Sequence, residues 1–120
     1  MEKMKTKTNL LQLKKRFLDC QKVICAIGDE TRQAIIITLL EGEWNGMRVG
    51  EITSRTHLSR PAVSHHLKIL LDAGVISLRR EGTMNFYSLK PKENEIKKLN
   101  LLLNDISSLY TEFQNKKPKG

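Results

Sequence analysis

The stretch from Ser59 to Gly74 constrains this chain more than any other. Ser59 can cap a helix N-terminus through its hydroxyl, Pro61 sits in a first turn where a missing N–H costs nothing, and Gly74 suits a helix end. Between these marks Val63, Leu67, Leu70 and Leu71 recur at i, i+4, i+7 and i+8, forming one apolar stripe. Arg60, Ser64 and Lys68 recur at i, i+4 and i+8 on another face, with His65 beside Ser64. The spacing predicts a helix from Ser59 to Ala73 with one buried face and a polar, basic outer face.

The flanking segments give that helix a context. Val49 to Thr56 reads as a short helix with Ile52 inward, and His57, Leu58 and Ser59 make a tight connection. Two helices joined in this way form a helix-turn-helix. After Gly74, Val75 to Arg80 and Thr83 to Leu89 alternate with a period of two, and Glu81-Gly82 supplies a turn glycine. The result is a β-hairpin over 76–89 with Arg79 and Arg80 near its tip, and a basic hairpin placed there is a wing. The fold class is therefore mainly α with a small β-hairpin, a winged helix-turn-helix.

Before this module, Leu10, Leu13, Phe17 and Leu18, then Val23, Ile24 and Ile27, recur at helical spacing up to Gly28, as two helical stretches or one bent one. Asp29 is an N-cap for a largely buried helix over Thr31 to Leu40, closed by Gly42. A loop follows in which Trp44 is expected to pack on the domain edge. Pro91 ends the second strand, and a last helix opens at Glu93. Its apolar residues Ile96, Leu99, Leu102, Leu103, Ile106, Leu109, Tyr110 and Phe113 are spaced 3, 3, 1, 3, 3, 1, 3, close to a coiled-coil period. A core already supplied by the other helices and the hairpin has little room for this stripe. It reads as a dimer seam built from Leu99, Leu102, Leu103, Ile106, Leu109, Tyr110 and Phe113.

Charge separates the partner classes. The 120 residues carry 21 Lys plus Arg against 13 Asp plus Glu, a formal +8 that points to a polyanion. By segment the chain runs +5 over 1–22, −2 over 23–56, +4 over 57–92, −2 over 93–115 and +3 at Lys116, Lys117 and Lys119. The lysine-rich ends read as solvated tails, so the internal +4 is the informative patch. This divides the chain into a basic arm and dimerisation helix (1–22), a DNA-binding domain (23–92), a C-terminal dimerisation helix (93–114) and a basic tail (115–120). The longest apolar run, Ala34 to Leu40, is broken by Thr38 and falls far short of the roughly 20 residues a spanning helix needs. Two cysteines and no leader pattern fit a reduced, cytoplasmic protein. No Gly-rich phosphate loop, activated nucleophile or carboxylate pair suggests an enzyme.

An α-helix fits the major groove, and its N-terminal half can meet base edges while phosphates are met at the flanks. Ser59, Arg60, Pro61, Ser64, His65 and Lys68 on the helix, with Arg79 and Arg80 on the wing, are the candidate DNA-binding residues. Residues 25–90 resemble the ArsR/SmtB family of bacterial winged-helix repressors through IGDETR at Ile27 to Arg32, SRPAVSHHLKILLDAG at Ser59 to Gly74 and RREGTMNFY at Arg79 to Tyr87. The resemblance implies a homodimer, with Leu10, Leu13 and Phe17 joining the seam, that binds a partly palindromic double-stranded DNA operator and releases it when an effector binds. It places the base-facing positions on Ser59, Arg60, Ser64 and His65, with Arg60 where many relatives carry Gln. Metal-sensing members have Cys-x-Cys where this chain reads Arg48-Val49-Gly50. A second family metal site on the last helix finds no His here beyond His66. No metal or cofactor is therefore expected. Cys20 and Cys25 lie about 140° apart on a helix and read as small core residues, with a redox role as the alternative. A cysteine-based redox-responsive repressor, or a winged-helix module for protein or RNA contacts, is the competing functional reading.

Overall fold

The structure, a computed structural model, describes residues 2–116, with side chains over 10–115. The proposed tail residues Lys117 and Lys119 lie outside the described residues. Five helices and one hairpin follow one another: α1 (Glu2–Ile27), α2 (Glu30–Glu41), α3 (Val49–Thr56), α4 (Arg60–Asp72), β1 (Ser77–Glu81), β2 (Met84–Ser88) and α5 (Glu93–Lys116). The chain divides into two compact units, one of residues 22–95 and one of 1–21 with 96–120.

Within the first unit, apolar stripes converge on a core whose largest fully buried members include Ile35, Met47, Ile52, Leu67, Leu70 and Ile76. Each such side chain contributes about 1.5–3 kcal/mol through loss of apolar surface to water. Helix ends are set by local chemistry. The Asp29 carboxylate accepts the Arg32 N–H at 2.9 Å and caps α2. The Ser59 hydroxyl accepts the Ala62 N–H at 3.2 Å and caps α4, with Pro61 in its first turn. At the far end of α4, Val75 N–H reaches Leu70 C=O and Gly74 N–H reaches Leu71 C=O, both at 3.0 Å, with Gly74 at φ 77°. This is the paired C-terminal bonding that favours glycine there. α3 ends instead on His57 at φ 59°, a left-handed position held by a residue with a Cβ.

β1 and β2 pair antiparallel with Ser77 opposite Ser88 and Glu81 opposite Met84. The two-residue loop is Gly82-Thr83, one residue later than the sequence reading, with Gly82 at φ 60°. Glycine is favoured at the first position of a tight hairpin loop because its φ is positive there. Met47 and Tyr87 exchange both backbone hydrogen bonds at 2.8 Å, so the wing is fastened to the segment that leads into α3.

α1 is a single helix, the second of the two alternatives the sequence offers. Three local expectations change. α2 is less buried than its composition suggests, because Ile35 and Leu39 face the core while Ile37 and Leu40 are exposed. Trp44 is 93% exposed and does not pack on the domain edge. Of the two free cysteines, Cys20 is buried as expected, but Cys25 is exposed. In the second unit the Arg16 guanidinium pairs with Asp105 at 3.3 Å, joining α1 to α5. No described helix is long and apolar enough to cross a membrane.

Candidate nucleic-acid interface

α4 is divided cleanly between core and solvent. Val63, Leu67 and Leu70 are completely buried on one side. Ser59, Arg60, Pro61, Ser64, His65 and Lys68 are all exposed. The helix is thus anchored by its apolar stripe and presents a row of hydrogen-bond donors outward. Ser59 and Pro61 serve first to start the helix, since the Ser59 hydroxyl already accepts a backbone N–H.

His66 behaves differently from its neighbour. Its Nδ1 lies 3.3 Å from the Arg32 guanidinium, and it is half-buried, so it belongs to the scaffold and not to the outer face. Arg32 is a hub that the sequence reading quoted but gave no role. It donates to Ala26 C=O at 2.7 Å and Cys25 C=O at 3.1 Å, and approaches Asp29 at 3.9 Å. Gln33 Nε2 donates to Ile27 C=O at 2.8 Å. Side chains from the first turn of α2 thereby satisfy carbonyls that α1 leaves open at its C-terminus, where positive charge is also favoured. The Asp29 carboxyl is held below the usual carboxylate range, chiefly by the Arg32 backbone N–H it accepts, and also by the positive charge of the Arg32 side chain.

The two wing arginines fall on opposite sides of the hairpin because neighbouring strand residues alternate. Arg80 Nε donates to Asn85 Oδ1 at 3.1 Å, across its own pair. Arg79 donates to Asn45 C=O at 3.1 Å, lies 4.5 Å over the Phe86 ring and pairs with Glu81. A polar groove of ≈560 Å³ runs between α3, α4 and the wing, and Arg60 and Ser64 line it together with Arg48, Asn85 and Tyr87. Arg48 is not among the candidate DNA-binding residues named from the sequence. Its position opposite the wing depends on the Met47–Tyr87 pairing, which no local pattern announces.

The seam candidates lie on α1 and α5. Leu10, Phe17, Leu103, Ile106, Tyr110 and Phe113 are exposed, while Leu13, Leu99 and Leu109 are half-buried. Leu102 is only 3% exposed in the protomer itself, so its burial requires no partner. Among the described residues no group of three His, Cys, Asp or Glu side chains could hold a metal ion.

A capped helix-turn-helix, a basic wing and an outward row of polar residues on the second helix define a winged-helix DNA-binding regulator. Residues 29–77 match the family described as bacterial regulatory protein, arsR family. The chain is 43% identical over 67 residues to the transcriptional repressor SdpR of Bacillus subtilis, covering 56% of this chain and 71% of that protein. It is 34% identical to the transcriptional activator HlyU of Vibrio cholerae, covering 71% of this chain and 76% of that one. Reduced HlyU superposes with a TM-score of 0.59 at 31% identity, over 75% of this chain and 92% of the other. An ArsR-like regulator from Rhodococcus shares the fold at 22% identity and a TM-score of 0.68, over 82% and 86%. The chain belongs to the ArsR family of transcriptional regulators.

Proposed function

We propose that this protein is a homodimeric repressor that binds a partly palindromic DNA operator. α4 enters the major groove, with Arg60, Ser64 and His65 toward base edges and Ser59, Pro61 and Lys68 at the flanks, and the wing sets Arg80 on the adjacent backbone. The observation that carries this reading is the exposure of Arg60, Ser64, His65 and Lys68 on a helix whose opposite face is completely buried. Such a helix is fixed in orientation by its core contacts, so its outer side chains are positioned for a rigid duplex. The exposed apolar side chains of α1 and α5 support dimerisation, since contiguous apolar surface of this kind marks contact sites. The relatives that act as repressors, SdpR among them, support repression over activation.

The test is a gel shift against genomic fragments at two salt concentrations, followed by transcription from the retained promoter in vitro. One or a few fragments should be retained at the higher salt, and their transcripts should fall when protein is added. Equal retention of all fragments at both salts would refute specific recognition. A rise in transcript would refute repression.

A further inference from the structure

The groove beside the recognition helix holds a cation that neither the composition nor the helix pattern assigned to DNA. Arg48 lies in the segment before α3 and lines the groove with Arg60 and Ser64 of α4 and with Thr83, Asn85 and Tyr87 of the hairpin. Among the described residues neither Arg48 nor Arg60 forms an ion pair, whereas Arg79 has an acidic partner, a carbonyl and an aromatic face. The free arginines therefore face the groove, and the engaged one lies outside it. The neighbouring hydroxyl and amide groups are donors of the kind that meet phosphate oxygens. Gly50 adds no side chain, and a Cβ there would meet nothing within 4 Å, so the entrance beside Arg48 is open.

We propose that Arg48 clamps a backbone phosphate of bound DNA in this groove, and that Arg79 instead braces the wing from within. The proposal rests on the DNA-binding reading above and adds a positioning contact from outside the recognition helix. With α4 in the major groove, the strand backbone passes along the helix flank, where an arginine fork can meet two phosphate oxygens at once. Glu51 lines the same groove and opposes an anion there. Its Oε1 accepts the Arg48 backbone N–H at 3.4 Å, so glutamine can keep that bond while removing the charge.

The full chain is titrated by fluorescence anisotropy over a salt series, against the best-retained genomic fragment and a scrambled duplex of about 30 base pairs, long enough for half-sites one turn apart. Arg48→Ala should weaken both complexes about tenfold or more, because a phosphate contact carries no sequence information. It should also make the log–log salt slope less negative by about 0.9 per protomer, or about 1.8 for a dimer. Arg48→Gln carries the same expectation should the alanine variant fail to fold. Glu51→Gln should tighten both complexes, and Arg79→Ala should lower the thermal midpoint with the slope unchanged. A wild-type slope in both Arg48 variants, or weaker binding by Glu51→Gln, would overturn the clamp while the wild-type preference for the genomic fragment still stands. A slope reduced by Arg79→Ala would overturn the brace. If the wild-type protein does not distinguish the two duplexes, the DNA-recognition reading falls, and the clamp with it.

Discussion

Replacing Arg32 by Met tests how the DNA-binding unit is held together. Methionine keeps much of the aliphatic stem but removes every donor of a guanidinium that is only 15% exposed. The lost bonds are the 2.7 Å contact with Ala26 C=O, the 3.1 Å contact with Cys25 C=O and the 3.3 Å contact with His66. Hydrogen bonds to charged groups contribute about 1.5–3 kcal/mol when sheltered and less in water. Only the first is short and partly buried; the second is exposed, and the third is long. The Asp29 pair at 3.9 Å adds little, as partly exposed pairs of that length generally do. The total is about 2–3 kcal/mol, of which the Ala26 contact supplies about half. For a chain of this size the thermal midpoint should fall by about 8–15 °C. The assay is urea unfolding followed by circular dichroism, with the midpoint shift converted through the measured slope. A loss below about 0.5 kcal/mol, the usual range for substitutions away from structural features, would refute the idea that Arg32 closes the end of α1.

Arg60→Ala should reduce affinity for the retained fragment by about 5- to 150-fold, the range of a lost base contact of about 1–3 kcal/mol, while leaving the dimer intact; equal losses on scrambled DNA would reassign Arg60 to the backbone. Leu103→Glu and Tyr110→Glu, which alter side chains 60% and 63% exposed in the protomer, should yield folded monomers in sedimentation. Leu102→Glu would instead break a position already buried, so the exposed pair is the cleaner test of the seam. For Asp29, a folded-state pKa held below the usual value means its stabilisation is present above about pH 4 and is lost as pH falls through the folded value. Asp29→Asn keeps a good cap without that proton, so its stability should fall less than that of the wild type between pH 5 and pH 2, and parallel acid curves would count against the assignment.

Most of the fold was readable because its punctuation is local. Ser59, Pro61 and Gly74 delimit α4 within a residue of the observed helix, and Val49 to Thr56 matches α3. The hairpin was found by alternation, although its loop lies at Gly82-Thr83 and not at Glu81-Gly82. Burial was less legible. Leu40 is expected inside and Trp44 packed on the domain edge, yet both are exposed, because hydrophobicity states a preference for burial and not the presence of a neighbour to provide it. His65 and His66 adjoin in sequence and still have different surroundings. A step of about 100° around the helix is enough to turn one toward Arg32 and the other toward solvent.

The hairpin arginines show why charge counted along a sequence differs from the charge a folded surface presents. Arg79 and Arg80 entered the internal +4 as equals, but strand alternation puts them on opposite sides. Glu81, two residues on from Arg79, returns to the same face and pairs with it. That pair leaves no net charge for an external anion. Arg48 belongs to a segment of net −2 in the sequence, yet the Met47–Tyr87 pairing ties that segment to the wing, and Arg48 lines a groove with Asn85 and Tyr87. If Arg48 clamps a phosphate and Arg79 braces the wing, the net charge of the chain is the same as when both wing arginines are counted toward DNA. What a phosphate encounters depends on which cations lack an internal partner. That property is set by tertiary pairing, which a total counted along a segment does not contain.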